Sequence, residues 1–215
     1  MSRQSEIEDR AVIRDLIEGW AIWRDAGLWD RLRTVWHDDG RMIATWFQGS
    51  ADEFIAISKA GYLRGGRVQH TLGGTAIDIA GDRAVAQTKM AILHRAPLEG
   101  VLCDFTCMGR FYDFFERRPL PNPPPLAGEG REAARWGIVL RHPIYEKDRV
   151  DPVEPGAKLT LDPALLARFP EGYRYLAYLQ TKHGYAVKPD MPGASGPELE
   201  ALYRRGEAWL RGEAL

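Results

Sequence analysis

The sequence predicts an α+β fold in which helices cover one face of a curved, mostly antiparallel sheet. Over the first part of the chain, apolar residues recur at helical spacing in segments that end near Gly27, Gly40 and Gly65. From Arg67 onward the apolar pattern changes to alternation and the segments lengthen. Helices followed by an antiparallel meander pack as two layers around one core. A concave sheet covered in this way encloses a pocket.

Three helices are predicted before the meander. The first spans residues 5–25, opened by a capping-box pattern at Ser5 and Glu8 and ended by Gly27. The others, with the segments between them, are a helix over 29–36, a turn over 37–40, a strand over 42–47, and a helix opened by a second capping box over 50–53 and ending near 65–66.

The meander is predicted as four long strands. They span residues 67–79 with a bend at 73–74, residues 83–95 after a hairpin turn at 81–82, residues 101–115, and residues 136–147. Prolines cannot join the hydrogen-bond ladder of a sheet, so the proline-rich stretch 118–131 is predicted as an exposed hairpin insertion. We therefore expect residues 1–150 to form one domain.

The remaining residues, 151–215, are predicted to form a linker and a helical extension. Residues 151–156 have the composition of a linker, and Asp162 followed by proline is a helix start. Further helices are predicted over 173–183 and 197–210. The first of these two is too apolar to stand alone, so we expect the extension to pack over the pocket mouth or against a neighbouring subunit.

Composition excludes several function classes. The formal net charge is −1 and the basic residues are interleaved with acidic ones, so we expect no nucleic-acid partner. No apolar run reaches transmembrane length and the N-terminal segment is charged, which predicts a cytoplasmic protein with no membrane partner. Cys103 and Cys107 would lie about 13 Å apart in an extended strand, too far for a disulfide. Neither has a zinc-like spacing to other ligands, so no metal and no cofactor are expected.

Asp25 stands out because it points toward the predicted core. It follows Ile17 and Ala21 by eight and four residues, which places all three on one helix face. A carboxylate near a helix C-terminus is also disfavoured by the helix dipole. A cation or an imidazole would compensate its burial. The alternative is that Asp25 accepts hydrogen bonds from the backbone of the turn closed by Gly27.

Two helices joined by the segment 25–30, and Val68-Gln69-His70 at the start of the meander, resemble the SnoaL-like branch of the nuclear transport factor 2-like (cystatin-like α+β cone) superfamily. The segment 135–138, followed by Arg141 and Tyr145, is similar to the closing strand of that branch, and the resemblance covers about residues 5–150. Members similar to scytalone dehydratase and to hexachlorocyclohexane dehydrochlorinase carry an aspartate and a histidine at the positions of Asp25 and His70. The resemblance implies an Asp–His dyad and a homodimer or homotrimer.

Such a pair suits proton abstraction, because a neutral imidazole can accept a proton while a carboxylate fixes its tautomer. Arg141 is expected to bind a leaving group or an enolate-like oxygen. The residues expected to bind substrate are Trp20, Trp46, Tyr62, Met90, Met108 and Tyr145. Weaker candidates are Asp104, His94 and His142. The structural alternatives are a core histidine at His70, a surface ion pair at Arg141 and ordinary core aromatics.

The leading functional hypothesis is a cofactor-independent lyase or isomerase, dehydratase-like or cyclase-like, acting on a hydrophobic cyclic, polyketide-like or steroid-like molecule. Trp20 stands where the dehydrochlorinase-like members have a lysine, so dehalogenation is not supported. One rival hypothesis is a non-catalytic protein that binds a small ligand or dimerises through its sheet. Another is an accessory subunit like the small subunits of ring-hydroxylating dioxygenases.

Overall fold

The computed structural model describes residues 3–119 and 134–215 and confirms the α+β prediction. Its elements are α1 (Arg3–Asp25), α2 (Trp29–Arg33), β1 (Trp36–Ala44), β2 (Phe47–Ser50), α3 (Ala51–Leu63), β3 (Val68–Ala80), β4 (Arg83–Leu98), β5 (Val101–Pro119), β6 (Ala134–Arg141), β7 (Ile144–Pro152), α4 (Pro163–Leu166), α5 (Arg174–Lys182) and α6 (Pro197–Leu210). The predicted hairpin insertion over 118–131 lies, from residue 120 onward, outside the described residues.

The seven described strands form one sheet in the order β2-β1-β6-β5-β4-β3, and β7 pairs with β5 outside this path. All pairings are antiparallel except the parallel pairing of β1 with β6. The predicted bend at 73–74 coincides with a register shift between Leu72 and Thr75. Gly81 has a φ of 63° in the predicted hairpin turn, a conformation that favours glycine.

The single strand predicted over 136–147 is wrong, because two strands occupy this region. β6 pairs with β5 from Asp113 onward, whereas β7 pairs with β5 as far as Arg110. The break falls at His142 and Pro143, where the proline lacks the N–H that a continuous ladder would need. β5 thus carries two partners in succession along one edge.

Two predictions near the N-terminal helices are also corrected. α1 includes Ser5, so this serine does not cap the helix. Residues 37–40, predicted as a turn, belong to β1, where Asp38 and Asp39 are exposed and the remaining two are buried. The capping box at residues 50–53 is confirmed, since Ser50 Oγ accepts from the Glu53 N–H and the Glu53 carboxylate accepts from the Ser50 N–H.

The core lies on both faces of the sheet. On the concave face, α1 buries Ile13, Ile17 and Trp20 against the strands. On the opposite face, α6 buries Leu202 and Trp209. Among the described helices, none combines the length and apolarity that a membrane crossing requires.

Candidate functional site

A cavity of about 320 Å³ lies between the sheet, α1, α3 and α5. Seven aromatic side chains contribute to its wall, which suits a flat apolar ligand. The aromatic side chains of the wall are Trp20, Trp46, Phe54, Tyr62, Phe111, Tyr145 and Tyr185. His70, near the start of β3, also lines this space.

His70 is held by Asp25 at two points. Its Nδ1 lies 2.8 Å from Asp25 Oδ1, and its backbone N–H donates to Asp25 Oδ2 at 2.5 Å. The side chains of His70 and Asp25 are 6% and 19% exposed. Asp25 ends α1 and does not line the aromatic cavity, so the carboxylate supports the imidazole from behind. The two contacts fix both the position and the rotation of the ring.

The electrostatics favour a neutral imidazole. Burial lowers the pKa of His70 below its ordinary 6.5, and the charges of Arg24 and Arg141 lower it further, against the opposing effect of Asp25. A carboxylate only accepts hydrogen bonds, so Nδ1 carries the proton and Nε2 has a lone pair. Within the described part of the chain, no group hydrogen-bonds to Nε2. This nitrogen is therefore available to accept a proton.

Arg141 lies behind the cavity wall, contrary to its predicted role of binding a substrate oxygen. It is fully buried and donates two hydrogen bonds to Asp113, at 2.7 and 2.8 Å. Its guanidinium carbon lies 4.0 Å from the ring centroid of Phe111 and 4.3 Å from that of Trp20. The alternative prediction, a surface ion pair at Arg141, is also wrong, because both partners are fully buried. Arg141 instead supports the two aromatic rings that pack against His70.

The structure places the remaining candidates in different environments. Trp20, Trp46, Tyr62 and Tyr145 line the cavity together with His70. Met90 is buried but lies outside the lining, and Met108 is 47% exposed on the opposite face of the sheet.

Among the weaker candidates, only His94 lines the aromatic cavity. Asp104 forms an ion pair with Arg95 at 2.7 Å, and both side chains are about half exposed. His142 lies at the break between β6 and β7, where burial lowers its pKa to about 4. Neither Asp104 nor His142 borders the cavity.

Several lining residues were missed, namely Arg24, Ser58, Gln180 and His183. Ser58 could have been found, because it lies four residues after Phe54 on the buried face of α3. The other omissions have no local signal. Gln180 and His183 reach the cavity through the docking of α5, which lies far from α1 and β3 in sequence.

Hydrogen bonds hold α5 at the cavity. Asp148 Oδ2 accepts from the backbone N–H groups of Tyr175 and Leu176 at 2.7 and 2.8 Å, near the N-terminus of α5. Thr45 Oγ1 donates to Gln180 Oε1 at 2.8 Å. The segment after α5 is joined to β7 through the Tyr145 N–H and the Pro192 carbonyl. α5 is thereby fixed as one wall of the cavity.

The fold and the cavity together define an α+β cone protein with an aromatic pocket. The chain belongs to the SnoaL-like domain family, whose model matches residues 5–142. It is 35% identical to an uncharacterized protein of Emericella nidulans and 33% identical to Pea pathogenicity protein 2 of Fusarium vanettenii. Each alignment covers 96% of this chain and 88% of the relative.

Solved structures share the fold. Hexachlorocyclohexane dehydrochlorinase LinA-type3 from Novosphingobium barchaimii LL02 superposes with a TM-score of 0.51 at 15% identity, covering 75% of this chain and all of that one. The Kfla4162 protein from Kribbella flavida superposes with a TM-score of 0.50 at 17% identity, covering 64% and 90%. The resemblance to the SnoaL-like and nuclear transport factor 2-like fold is confirmed.

Proposed function

We propose that this protein is a cofactor-independent lyase or isomerase in which His70, oriented by Asp25, removes a proton from a hydrophobic cyclic molecule. The observation that carries the proposal is the 2.8 Å contact between His70 Nδ1 and Asp25 Oδ1 beside an aromatic cavity. The name of the LinA-type3 structure, a dehydrochlorinase, is that of an elimination catalyst on the same fold. That similarity is one of fold, so the proposal depends on the residues of this chain.

In the proposed mechanism, His70 Nε2 accepts a proton from a C–H bond of the substrate. The Asp25 carboxylate stabilises the imidazolium that forms. The electron pair of the broken bond then either forms a double bond and expels a hydroxyl group, or moves an existing double bond. In the first case the imidazolium returns its proton to the departing oxygen, which leaves as water. In the second it returns the proton to another carbon.

The cavity suits a substrate of a few rings, cyclic and polyketide-like or steroid-like. Its volume of about 320 Å³ lies at the lower end of the range of small-molecule sites. Trp20 and Phe111 present their rings beside His70, with centroid distances of 5.1 and 6.1 Å to the imidazole. A planar ring held between such walls would bring its C–H bonds close to Nε2.

Deuterium exchange tests this function. A panel of cyclic ketones and hydroxyketones is incubated with the protein in deuterium oxide, and exchange is followed by NMR. We expect exchange with the native protein and its loss in His70→Ala. His94→Ala is the matched control, because His94 also lines the cavity but has no carboxylate partner, its Nδ1 lying 2.7 Å from the Arg67 carbonyl. A ligand that binds without exchanging would favour a non-catalytic binding protein.

The exchange rate should decrease toward low pH. The reactive form of His70 is the neutral one, and burial places its pKa below 6.5. We therefore expect kcat/KM to be constant at neutral pH and to fall as the pH drops through that lowered pKa, with a slope of about one proton. The measurement is the pH profile of exchange between about pH 4 and 8. A rate that increases toward low pH would contradict His70 as the base.

A further inference from the structure

The charged side chains that line the aromatic cavity are of one sign. Arg24 and Arg64 contribute their guanidinium groups to the wall, which also holds the imidazoles of His94, His183 and the neutral His70. Among the described lining residues none is acidic, although the whole chain has 30 acidic and 29 basic residues. A concave apolar site with charges of one sign concentrates their field and attracts the opposite charge.

Arg24 has an unused donor at this cavity. Its side chain is 14% exposed, and its Nη1 lies 3.5 Å from Asp25 Oδ1. Asp25 already accepts two closer hydrogen bonds from His70. The Nε of Arg24 is buried, and no described residue accepts from it. A buried donor without an acceptor is unfavourable, so a ligand acceptor at this position would relieve that cost.

Ser58 presents a second unused group. The residue is 6% exposed and lines the same cavity from α3. Its Oγ is buried and has no hydrogen-bond partner among the described residues. A helical serine usually bonds back to a carbonyl of its own helix, and Ser58 makes no such bond. Its hydroxyl can therefore donate to a ligand oxygen.

Arg64 of the wall is joined by a further arginine, Arg67, which lies beside the lining residue Tyr62. Arg64 is exposed, and within the described chain its side chain makes neither an ion pair nor a hydrogen bond. Arg67 stacks on the ring of Tyr62 at 3.9 Å and donates to the carbonyls of Tyr62 and Gly66. No carboxylate among the described residues neutralises either guanidinium. An anion approaching the side of the cavity at Tyr62 would meet these two exposed positive charges.

We propose that the ligand of this cavity is an anion, a ring-bearing carboxylate whose oxygens accept hydrogen bonds from Arg24 and Ser58 while its rings pack against the aromatic wall. The inference rests on the proposed function, because it names the substrate class of the same site. A carboxylate forms stronger, charge-assisted hydrogen bonds to guanidinium than a neutral oxygen does. The carboxylate anchors the ring, and the C–H bond that His70 attacks belongs to another part of the molecule.

Binding of 2-naphthoate and of the neutral 2-naphthamide, measured by calorimetry, tests this proposal. The two probes share a bicyclic ring and differ in charge. We expect 2-naphthoate to bind at least about ten-fold more tightly to the native protein. In Arg24→Gln this preference should fall below about three-fold, whereas Arg24→Lys should retain part of it. Equal or tighter binding of the amide, or no binding of naphthoate at millimolar concentration, would overturn the proposal.

Arg24 contacts Asp25, so its replacement could disturb the fold there. Two further variants change residues that do not contact Asp25. Arg64→Gln changes an exposed side chain without partners, and we expect it to weaken naphthoate binding by about two-fold to three-fold and to leave naphthamide binding unchanged. Arg149→Gln is the control, because Arg149 forms an exposed ion pair with Asp151 and does not line the cavity. Deuterium exchange on neutral ketones reports on His70 separately, so failure of the anion proposal and failure of the proposed function are distinguishable.

Discussion

Replacing Asp25 by asparagine is expected to lower the rate of substrate proton exchange by about 10²- to 10⁴-fold. The carboxylate accepts from both the Nδ1–H and the backbone N–H of His70, and an amide has only one oxygen for these two donors. If the amide NH₂ faces Nδ1, the ring takes the other tautomer. Its proton then moves to Nε2, where the base is required. The measurement is single-turnover exchange by NMR, with unfolding followed separately.

Asp104→Asn is the matched control for this variant. Asp104 also belongs to an ion pair, but that pair is partly exposed and lies outside the aromatic cavity. The rate of substrate proton exchange in Asp104→Asn should equal that of the native protein. If the Asp25 variant is folded and exchanges as fast as the native protein, the carboxylate has no part in orienting His70 and the proposed mechanism is wrong.

Replacing Asp113 by asparagine is expected to have the largest effect on stability, lowering the free energy of unfolding by about 3–5 kcal/mol. Both Asp113 and Arg141 are fully buried, and each carboxylate oxygen accepts from the guanidinium. Burial raises the pKa of Asp113, and the charge of Arg141 opposes that shift. The variant leaves Arg141 charged and uncompensated between Trp20 and Phe111. Urea denaturation followed by tryptophan fluorescence measures the loss.

The exposed pair of Arg149 and Asp151 provides the comparison. Its side chains are 64% and 46% exposed, so Asp151→Asn should change the unfolding free energy by less than about 1 kcal/mol. The double variant Arg141→Met/Asp113→Leu should recover most of the stability lost in Asp113→Asn, because two buried charges are replaced by apolar groups. A small effect of Asp113→Asn, similar to that of Asp151→Asn, would refute this account of the buried pair.

The elements that the sequence predicts well are those with a local signal. The capping box at Ser50, the turn glycine at Gly81 and the helix over 197–210 each depend on residues close in the chain. The break between β6 and β7 depends instead on pairing with distant β5. A proline at position 143 marks a weak point in a strand, but it does not specify that the strand resumes along the same neighbour.

Side-chain direction on β5 was predicted less well than the strand itself. The second half of β5 buries Phe111 and Phe115 on one face, and Tyr112 and Phe114 on the other. Both faces are apolar there because α6 covers the face opposite α1. Alternation of apolar and polar residues then no longer marks the cavity side. Met108, which we expected in the cavity, lies an even number of residues from Tyr112 and Phe114 and therefore shares their face.

The candidate site follows a similar division. The resemblance implied a relation between Asp25 and His70, which lie 45 residues apart in sequence. For Arg141, the resemblance placed the residue on a strand but did not indicate how deeply its side chain is buried. Burial of Arg141 requires Asp113 as a counter-ion, and the two meet only through the register of β5 with β6. Tertiary pairing of this kind cannot be deduced from either strand alone.

Under the proposed function, the cavity wall formed by α5 is separate in sequence from Asp25 and His70, the residues proposed to act on the proton. Asp25 and His70 lie inside the region matched by the SnoaL-like model, whereas the lining residues of α5 lie beyond its end at residue 142. This wall can therefore be exchanged, in evolution or by design, while Asp25 and His70 remain unchanged. Relatives that align over 96% of the chain could donate such a segment. A chimera in which residues 174–185 come from such a relative would change this part of the cavity wall and leave Asp25 and His70 in place.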